Sequence, residues 1–224
     1  MIKAIVTDIE GTTTSLAFVK EVLFPYSRSY LGTFVKDRQT DPIVVGLISD
    51  VAKEVNRELS LDEAIEQLLL WSNEDKKITP LKALQGLIWE DGYRRGAFVG
   101  HIYADVLPKL RQWHRQGISL YIYSSGSVYA QKLLFGNTLE GDLTPLFSGY
   151  FDTRIGGKRE TESYKKIAQE TGFKPEQTLF LSDIKEELDA AKAAGYQTVW
   201  LCRDSEPNAT AEHLQVLDFN SIFV

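Results

Sequence analysis

Four short, continuous apolar runs constrain the fold of this chain most strongly. They lie at residues 4–6, 120–123, 179–181 and 198–201, and small or acidic residues follow them. Continuous rather than alternating apolar runs are typical of strands that are buried on both faces, as in a parallel sheet. Between and after the later runs, apolar residues recur at helical spacing: Val106, Leu110 and Trp113; Tyr164, Ile167 and Ala168; Leu188, Ala191 and Ala194. This βαβα alternation predicts an α/β fold with a doubly wound parallel sheet.

One long interruption separates the first run from the second. Its apolar residues repeat three times at helical spacing: Ile43, Leu47 and Val51; Leu61, Ile65, Leu68 and Leu69; Leu81, Leu84 and Leu87. A segment of this length is too long for a structureless loop in a compact domain. We therefore predict a helical cap at residues 15–96, inserted into a core formed by residues 1–14 and 97–224. A lid attached there would hang over the strand edge that carries Asp8.

Composition limits the partners and the compartment. The 224 residues carry a net charge of −6 without a basic cluster, which argues against a nucleic-acid partner. No apolar stretch approaches the roughly 18 residues of a membrane span, and the sequence begins without a signal peptide. The single cysteine, Cys202, fits a reducing compartment. We expect a cytoplasmic monomer, although the sequence does not fix the oligomeric state, and the formal sequon at Asn208 carries no meaning there.

The first apolar run ends in the segment Asp8-Ile9-Glu10-Gly11-Thr12-Thr13. In open α/β sheets, ligands bind at the carboxyl ends of strands, where Asp8 would lie. A carboxylate there can attack phosphorus and form an aspartyl-phosphate. Glu10 falls on the same side of an extended segment, so the pair can hold Mg²⁺ and transfer a proton. The alternative interpretation is an acidic turn at the end of a strand.

Three further segments fall at loops that follow core strands. Ser124-Ser125-Gly126 offers a hydroxyl and turn amides for phosphate oxygens, Gly156-Gly157-Lys158 offers one cation, and Ser182-Asp183 adds a carboxylate. Glu186 and Glu187 open the next helix, where its dipole favours negative charge. Each segment alone has a plain alternative, namely a turn, a solvated loop and a helix N-cap. Their common position at the carboxyl edge of one sheet favours a single site.

Electrostatics indicate that such a site needs a metal ion. Asp8, Glu10, Asp183 and a phosphate would repel by roughly 4 kcal/mol per pair at about 4 Å and an effective dielectric near 20. Lys158 alone cannot offset this repulsion, whereas Mg²⁺ accepts carboxylates, substrate oxygens and water. In this interpretation Asp8 attacks phosphorus, Mg²⁺ and Lys158 neutralise the phosphoryl oxygens, and Ser124 hydrogen-bonds one of them. Glu10 protonates the leaving oxygen and then activates water.

These segments resemble the four motifs of the haloacid dehalogenase superfamily, whose members have a Rossmann-like core and a cap. More narrowly, the glutamate at position 10 and several longer segments resemble the sequences of the enolase-phosphatases of methionine salvage. These segments are residues 15–26, 82–86, 124–136, 150–153 and 162–164. The resemblance implies that Asp8, Glu10 and Lys158 are catalytic and that Asp8, Glu10 and Asp183 bind Mg²⁺. It also implies that Ser124, Ser125, Gly126 and Lys158 bind the substrate.

The same resemblance implies a bifunctional reaction on 2,3-diketo-5-methylthiopentyl-1-phosphate. The substrate is first enolised and then loses its phosphate, giving the acireductone 1,2-dihydroxy-3-keto-5-methylthiopentene. The base that removes the carbon-bound proton stays open, with Glu10 as one candidate. The residues Phe24, Pro25 and Tyr26 either line a pocket for the methylthio tail or pack within the cap.

Three other functions are compatible with parts of this pattern. A dehalogenase would attack carbon without a metal, and Glu10 and Asp183 would then only repel. A phosphatase or phosphomutase for a different small substrate keeps the core chemistry. A receiver domain would lack both the helical lid and the second carboxylate.

We expect His101 to be structural, His114 and His213 to be solvated, and the tryptophans to be packing residues: Trp71, Trp89, Trp113 and Trp200.

Overall fold

The computed structural model describes residues 1–203 and 212–224, so the sequon at Asn208 lies outside the described residues. The chain divides into two compact units. The sheet unit consists of Met1–Leu16 and Val99–Val224, and the helical unit consists of Ala17–Phe98. No helix among the described residues is long and apolar enough to cross a lipid bilayer.

The sheet unit is built around a parallel sheet, which has six strands in the described part of the chain. The strands are β1 (Ala4–Thr7), β2 (Ser119–Tyr123), β3 (Gly149–Phe151), β4 (Thr178–Ser182), β5 (Gln197–Leu201) and β6 (Leu214–Val216), in the order β3-β2-β1-β4-β5-β6. This is the order of a Rossmann-like, doubly wound sheet and confirms the predicted fold class. The two strands that were not predicted, β3 and β6, have only three residues each.

The helical unit contains four α-helices within residues 17–98, all of which are described. They are α1 (Phe24–Asp37), α2 (Pro42–Glu54), α3 (Leu61–Asn73) and α4 (Thr79–Arg94), preceded by a π-helical turn at Phe18–Leu23. The start of α3 shows why the sequence folds this way locally. Ser60 accepts a hydrogen bond from the Glu63 backbone while the Glu63 carboxylate accepts one from the Ser60 backbone, a capping box.

The apolar positions of these helices form their own core. Leu31, Leu68 and Leu84 are completely buried at its centre, and burial of such a side chain contributes about 1.5–3 kcal/mol. Ile43 is an exception to the predicted apolar face, because it is 62% exposed at the start of α2. Phe24 and Tyr26 pack within this unit against Trp89 and Phe98.

Four α-helices in the described part of the sheet unit connect the strands. They are α5 (Val106–Arg115), α6 (Val128–Gly136), α7 (Thr161–Thr171) and α8 (Lys185–Ala193). The predicted apolar positions Tyr164, Ile167 and Leu188 are fully buried and pack in one cluster with Val6 and Phe180 of the sheet. Tertiary burial of one helix face therefore stabilises α7 and α8 on the central strands.

The histidines and tryptophans fall into different environments. His114 is exposed, as predicted, but the prediction of a solvated His213 is wrong. His213 is buried because one ring nitrogen bonds Thr198 Oγ1 at 2.8 Å and the other bonds Asp189 at 2.9 Å. The four tryptophans are packing residues of two kinds: Trp71 and Trp113 are buried, whereas Trp89 and Trp200 also donate to backbone carbonyls.

Candidate active site

The candidate site lies where the strand order of the sheet reverses direction. The chain first builds outward from β1 through β2 to β3, and then returns to place β4 on the other side of β1. Asp8 follows β1, Asp183 follows β4, and the Asp8 backbone N–H bonds the Leu181 carbonyl at 2.9 Å. Crevices at such reversal points are the usual ligand sites of open α/β sheets. The topology therefore brings two predicted carboxylates to one crevice.

A tight turn fixes the backbone immediately after Asp8. The Ile9 carbonyl accepts the N–H groups of Thr12, Thr13 and Thr14 at 2.9–3.2 Å. Gly11 has φ +74°, and a Cβ there would lie 2.6 Å from Asp183 Cγ. Only glycine combines this conformation with so close an approach. The glycine of the first motif is therefore explained by the carboxylate of the last one.

Lys158 lies between two buried carboxylates. Its Nζ is 2.5 Å from Asp8 Oδ1 and 2.7 Å from Glu187 Oε2, and Ser182 Oγ donates to the same Glu187 oxygen at 2.8 Å. The side chains of Asp8, Lys158 and Glu187 are only 6, 10 and 11% exposed. Such a desolvated trio is held by charge and hydrogen bonds together. It juxtaposes the predicted nucleophile with the predicted cation.

Sequence reasoning missed Glu187 as a member of this trio. The sequence places it only at the start of α8, where the helix dipole favours negative charge, whereas in the structure the residue is 8% exposed and contacts Lys158. The available signal was its position four residues after Asp183, since one helical turn brings a side chain back to the same edge. Its neighbour Glu186, by contrast, is exposed.

Burial dominates the titration of these groups. It raises the pKa of Asp8, and the Lys158 ammonium offsets only part of that rise. Burial and the nearby Asp8 charge likewise raise the pKa of Glu187. Burial alone would lower the pKa of Lys158, but the two adjacent carboxylates outweigh it and the net pKa is raised. Lys158 thus stays charged and favours the ionised form of the Asp8 carboxylate.

Asp183 has the properties of a ligand for a hard cation. Its Oδ1 atom is buried and has no hydrogen-bond partner among the described residues. Burial, followed by the Asp8 charge, raises the pKa of Asp183 to about 7. Buried carboxylate oxygens are normally paired, so an orphaned one beside a second carboxylate fits a bound divalent ion.

The predicted metal site uses three carboxylates, from Asp8, Glu10 and Asp183. Among residues 1–203 and 212–224, no three His, Cys, Asp or Glu side chains are grouped to hold a metal ion. Mg²⁺ commonly takes only one or two protein carboxylates and completes its shell with water and substrate oxygens. Asp8 and Asp183 fit that pattern. Glu10 is half-buried and its charge raises the Asp8 pKa, but its side chain as a ligand and as the proton-transfer group stays a prediction.

The predicted phosphate-binding turn follows β2, the neighbour of β1. Ser124 is buried, and its Oγ accepts the Gly126 N–H at 3.1 Å, which gives the turn its shape. Gln131 of α6 donates through Nε2 to the Gly126 carbonyl and to the Phe151 carbonyl, both at 2.8 Å. Ser125 and Gly126 are half-buried. Hydrogen bonds of Ser124 and Gln131 therefore fix the shape of the turn, and its contact with phosphate stays a prediction.

A second set of contacts, which was not predicted, fixes the turn after Asp8; we call Arg203 and Asp105 a clamp. Arg203 donates through Nε to the Thr12 carbonyl at 2.8 Å and pairs in bidentate fashion with Asp105 at 2.8 and 3.0 Å. The guanidinium also lies 3.9 Å from the ring centroid of Tyr103. Burial raises the pKa of Asp105, but the hydrogen bonds from Arg203 and the Phe219 N–H outweigh it, so the net pKa is lowered.

His101 supports the same stretch of backbone, in line with its predicted structural role. Its Nδ1 accepts the Ser15 N–H at 3.0 Å, and its carbonyl accepts the Thr14 hydroxyl at 2.9 Å. Burial, followed by the Arg203 charge, lowers the pKa of His101. The neutral ring is the form that can accept a hydrogen bond at Nδ1.

Comparisons with known proteins agree with this geometry. The family model of the haloacid dehalogenase-like hydrolases matches residues 2–195. Proteins named enolase-phosphatase E1 from Thioalkalivibrio sulfidiphilus and Methylococcus capsulatus are 55% and 56% identical to the chain over 224 residues. They cover 100% and 99% of this chain and 100% and 98% of their own length. The UTR4 protein of Saccharomyces cerevisiae is 32% identical, with a TM-score of 0.85 over 99% of this chain and 100% of that one.

The chain therefore belongs to the haloacid dehalogenase-like hydrolases and, within them, to the enolase-phosphatase family. This membership confirms the expected class of enzyme, a phosphatase, and is incompatible with the receiver-domain alternative.

Proposed function

We propose that this enzyme converts 2,3-diketo-5-methylthiopentyl-1-phosphate into the acireductone 1,2-dihydroxy-3-keto-5-methylthiopentene, as a step of methionine salvage. The observation that carries the proposal is the desolvated pair of Asp8 and Lys158 at the reversal point of the sheet. Full-length identity of 55–56% to proteins named enolase-phosphatase E1 supports the choice of substrate. The helical unit, residues 17–98, is proposed to be the cap of the family.

The phosphatase half of the reaction follows from nucleophilic attack by a carboxylate. An Asp8 oxygen forms a bond to phosphorus while the bond between phosphorus and the ester oxygen breaks, and Glu10 gives a proton to that leaving oxygen. Glu10 then takes a proton from water, which attacks phosphorus and releases inorganic phosphate and the Asp8 carboxylate. Lys158 and Ser124 stabilise the phosphoryl oxygens in both steps.

Magnesium is the proposed cofactor, held by Asp8, Glu10 and Asp183. When bound, Mg²⁺ supplies charge neutralisation at the phosphoryl group and polarisation of a carbonyl oxygen. The orphaned Asp183 oxygen supports this assignment from the protein side. The two carboxylates that flank Lys158 also leave the site too negative to accept a phosphate dianion without a further cation.

The enolase half requires a base that removes a carbon-bound proton while a carbonyl oxygen gains one. Glu10 is one candidate for this base, since it is the proposed acid–base group of the phosphatase half. The proposed setting is the cytoplasm, where a monomer would act on a small phosphorylated diketone without nucleic-acid or membrane partners. The lone, buried Cys202 suits a reducing compartment of this kind.

The test is a coupled assay of the diketo phosphate in the presence of Mg²⁺. Enol absorbance should rise before phosphate appears, and the dephosphorylated acireductone should follow. Asp8→Asn should lower phosphate release by at least about 10³-fold, because the amide is not a nucleophile. Asp62→Asn, which changes an exposed carboxylate of the helical unit, should leave turnover unchanged.

Two results would overturn the proposal. Release of phosphate from a generic aryl phosphate but not from the diketo phosphate would exclude the proposed substrate. Appreciable turnover by Asp8→Asn, with no contaminating phosphatase in a mock preparation, would exclude Asp8 as the nucleophile.

A further inference from the structure

Three consecutive backbone carbonyls around Lys158 accept hydrogen bonds from three side-chain hydroxyls. Tyr123 donates to the Gly156 carbonyl at 2.9 Å, Ser163 donates to the Gly157 carbonyl at 2.8 Å, and Tyr164 donates to the Lys158 carbonyl at 2.6 Å. All three donors are buried. We call the set Tyr123, Ser163 and Tyr164 the hydroxyl cradle.

The cradle joins the loop to two rigid elements. Tyr123 is the last residue of β2, whereas Ser163 and Tyr164 lie in the first turn of α7. The rings of Tyr123 and Tyr164 meet edge to face at 5.6 Å, so the two donors are also fixed against each other. Each of the three loop residues is therefore held through its carbonyl: Gly156 is bound to β2, and Gly157 and Lys158 are bound to α7.

The glycine that opens the loop is explained by the cradle. Gly156 has φ +141°, and a Cβ there would overlap Ser163 Oγ. A side chain at Gly157 would meet only the far end of the flexible Glu160 side chain. The close approach of the Ser163 hydroxyl thus requires glycine at the first position and makes no such demand at the second.

We infer that Tyr123, Ser163 and Tyr164 are positioning residues that set the location of the Lys158 ammonium between Asp8 and Glu187. The loop residues Gly156, Gly157 and Lys158 are half-buried, and a carbonyl that is shielded from water and loses its donor carries a desolvation cost. The loop can relieve this cost by moving toward water. Such a movement would withdraw Nζ from its two carboxylate partners. The inference rests on the proposed function, in which Lys158 stabilises the transferring phosphoryl group.

Tyr196 provides a matched control for a purely structural effect. Its hydroxyl donates to the Tyr164 carbonyl at 2.9 Å, its ring contacts that of Tyr164 at 5.7 Å, and the residue is buried in the same cluster. Tyr196→Phe therefore removes the same atom from the same core as Tyr164→Phe. It differs in leaving the loop at Gly156–Lys158 with all three donors.

The experiment compares Tyr164→Phe with Tyr196→Phe under saturating Mg²⁺ and diketo phosphate. Both variants should lower the thermal midpoint by a similar amount, about 2–6 °C, because each loses one hydrogen bond donated by a buried tyrosine. Only Tyr164→Phe should lower kcat, by about 10-fold to 100-fold, as expected for a displacement near 1 Å of a catalytic group. Equal kcat losses in the two variants, or kcat of Tyr164→Phe within about 2-fold of wild type, would overturn the inference.

A double-mutant cycle separates action through Lys158 from general damage. In the Lys158→Ala background, Tyr164→Phe should change the residual kcat by less than about 2-fold, because no ammonium is left to be misplaced. A full multiplicative loss would refute the inference. If Tyr164→Phe does not unfold cooperatively, Ser163→Ala takes its place under the same criteria.

Failure of the proposed function would look different. A wild-type enzyme that leaves the diketo phosphate unchanged but hydrolyses an aryl phosphate would refute the proposed substrate. The cradle would then be tested by the same comparison on the aryl phosphate, with the same outcomes for and against it.

Discussion

The two units of the molecule differ in which polar side chains they bury. In the helical unit, the buried polar residues among those described are uncharged: Ser27, Ser72 and Gln85. Most of its ion-pair partners are exposed, such as Lys36 and Asp62, and the exception is Asp91, the partner of Arg38, which is 14% exposed. In the described part of the sheet unit, three carboxylate residues are buried: Asp8, Asp152 and Glu187. Buried charge is costly and surface ion pairs contribute little, so the two units are stabilised by different means.

The difference indicates which unit is built for chemistry. The core of the helical unit is held mainly by apolar packing, because it combines buried leucines with few polar side chains. The sheet unit retains charges at the carboxyl edge of its strands at a cost in stability, and it surrounds them with specific donors. Buried charges of this kind are the groups whose electrostatic energy changes most when a charged substrate or cation binds.

Removal of the buried cation is the strongest test of this contrast. Lys158→Ala should lower kcat on the order of 10²-fold or more, which is about 2.7 kcal/mol in the barrier, because it removes a preorganised charge from the phosphoryl group. Steady-state phosphate release measures the effect, at a temperature where circular dichroism shows a folded variant. Lys36→Ala removes an exposed lysine of the helical unit and should change kcat by less than about 2-fold. A near-wild-type rate for Lys158→Ala would reduce the lysine to a structural role.

A pair of similar clamps gives a sharper comparison between the units. Arg203 pairs with Asp105 over the Tyr103 ring in the sheet unit, and Arg38 pairs with Asp91 over the Phe34 ring in the helical unit. Lysine can form neither the bidentate contact of Arg203 with Asp105 nor the stacked contact that each guanidinium makes with its ring.

Both Arg203→Lys and Arg38→Lys should lower the free energy of unfolding by about 1 kcal/mol in urea titrations. Only Arg203→Lys should also lower kcat, by about 10-fold, because the Arg203 guanidinium holds the Thr12 carbonyl in the turn after Asp8. Equal kcat values for the two variants would mean that both clamps serve stability alone.

The sequence predicts the sheet and the location of the chemistry well, for identifiable reasons. Residues 4–6 and 179–181 form continuous apolar runs because β1 and β4 are buried on both faces. The carboxylates that follow them meet because parallel strands end at the same edge. In contrast, β3 and β6 are short edge strands that depend on pairing with β2 and β5 rather than on their own composition.

The residues that sequence reasoning missed act through contacts between distant parts of the chain. The bond from Arg203 to Thr12 and that from Tyr123 to Gly156 join residues 191 and 33 positions apart. His213 was misjudged because its polar neighbours in sequence conceal partners at Thr198 and Asp189. Local patterns specify helices and strands, but such hydrogen bonds require the coordinates of the folded chain.

The smallest predicted effect concerns the pH dependence of stability. A bound cation should restore the stability that is lost at high pH. The pKa of Asp183 is raised to about 7 in the folded protein, so its contribution to stability is present near pH 4 and is lost as pH rises through 7. In EDTA, the free energy of unfolding should therefore fall by about 1 kcal/mol across this window, since water screens the partly exposed carboxyl. Asp183→Asn should flatten this dependence, whereas the exposed Asp62→Asn should not.

Magnesium should reverse the effect at pH 8, because a cation at Asp8 and Asp183 offsets the same repulsion that raises the pKa. The thermal midpoint of the wild-type protein should rise with added Mg²⁺, and the rise should be lost in Asp183→Asn and kept in Asp62→Asn. A Mg²⁺-dependent shift of equal size in Asp183→Asn would show that the ion binds elsewhere. The contrast between the two units would then describe buried charge without a metal site.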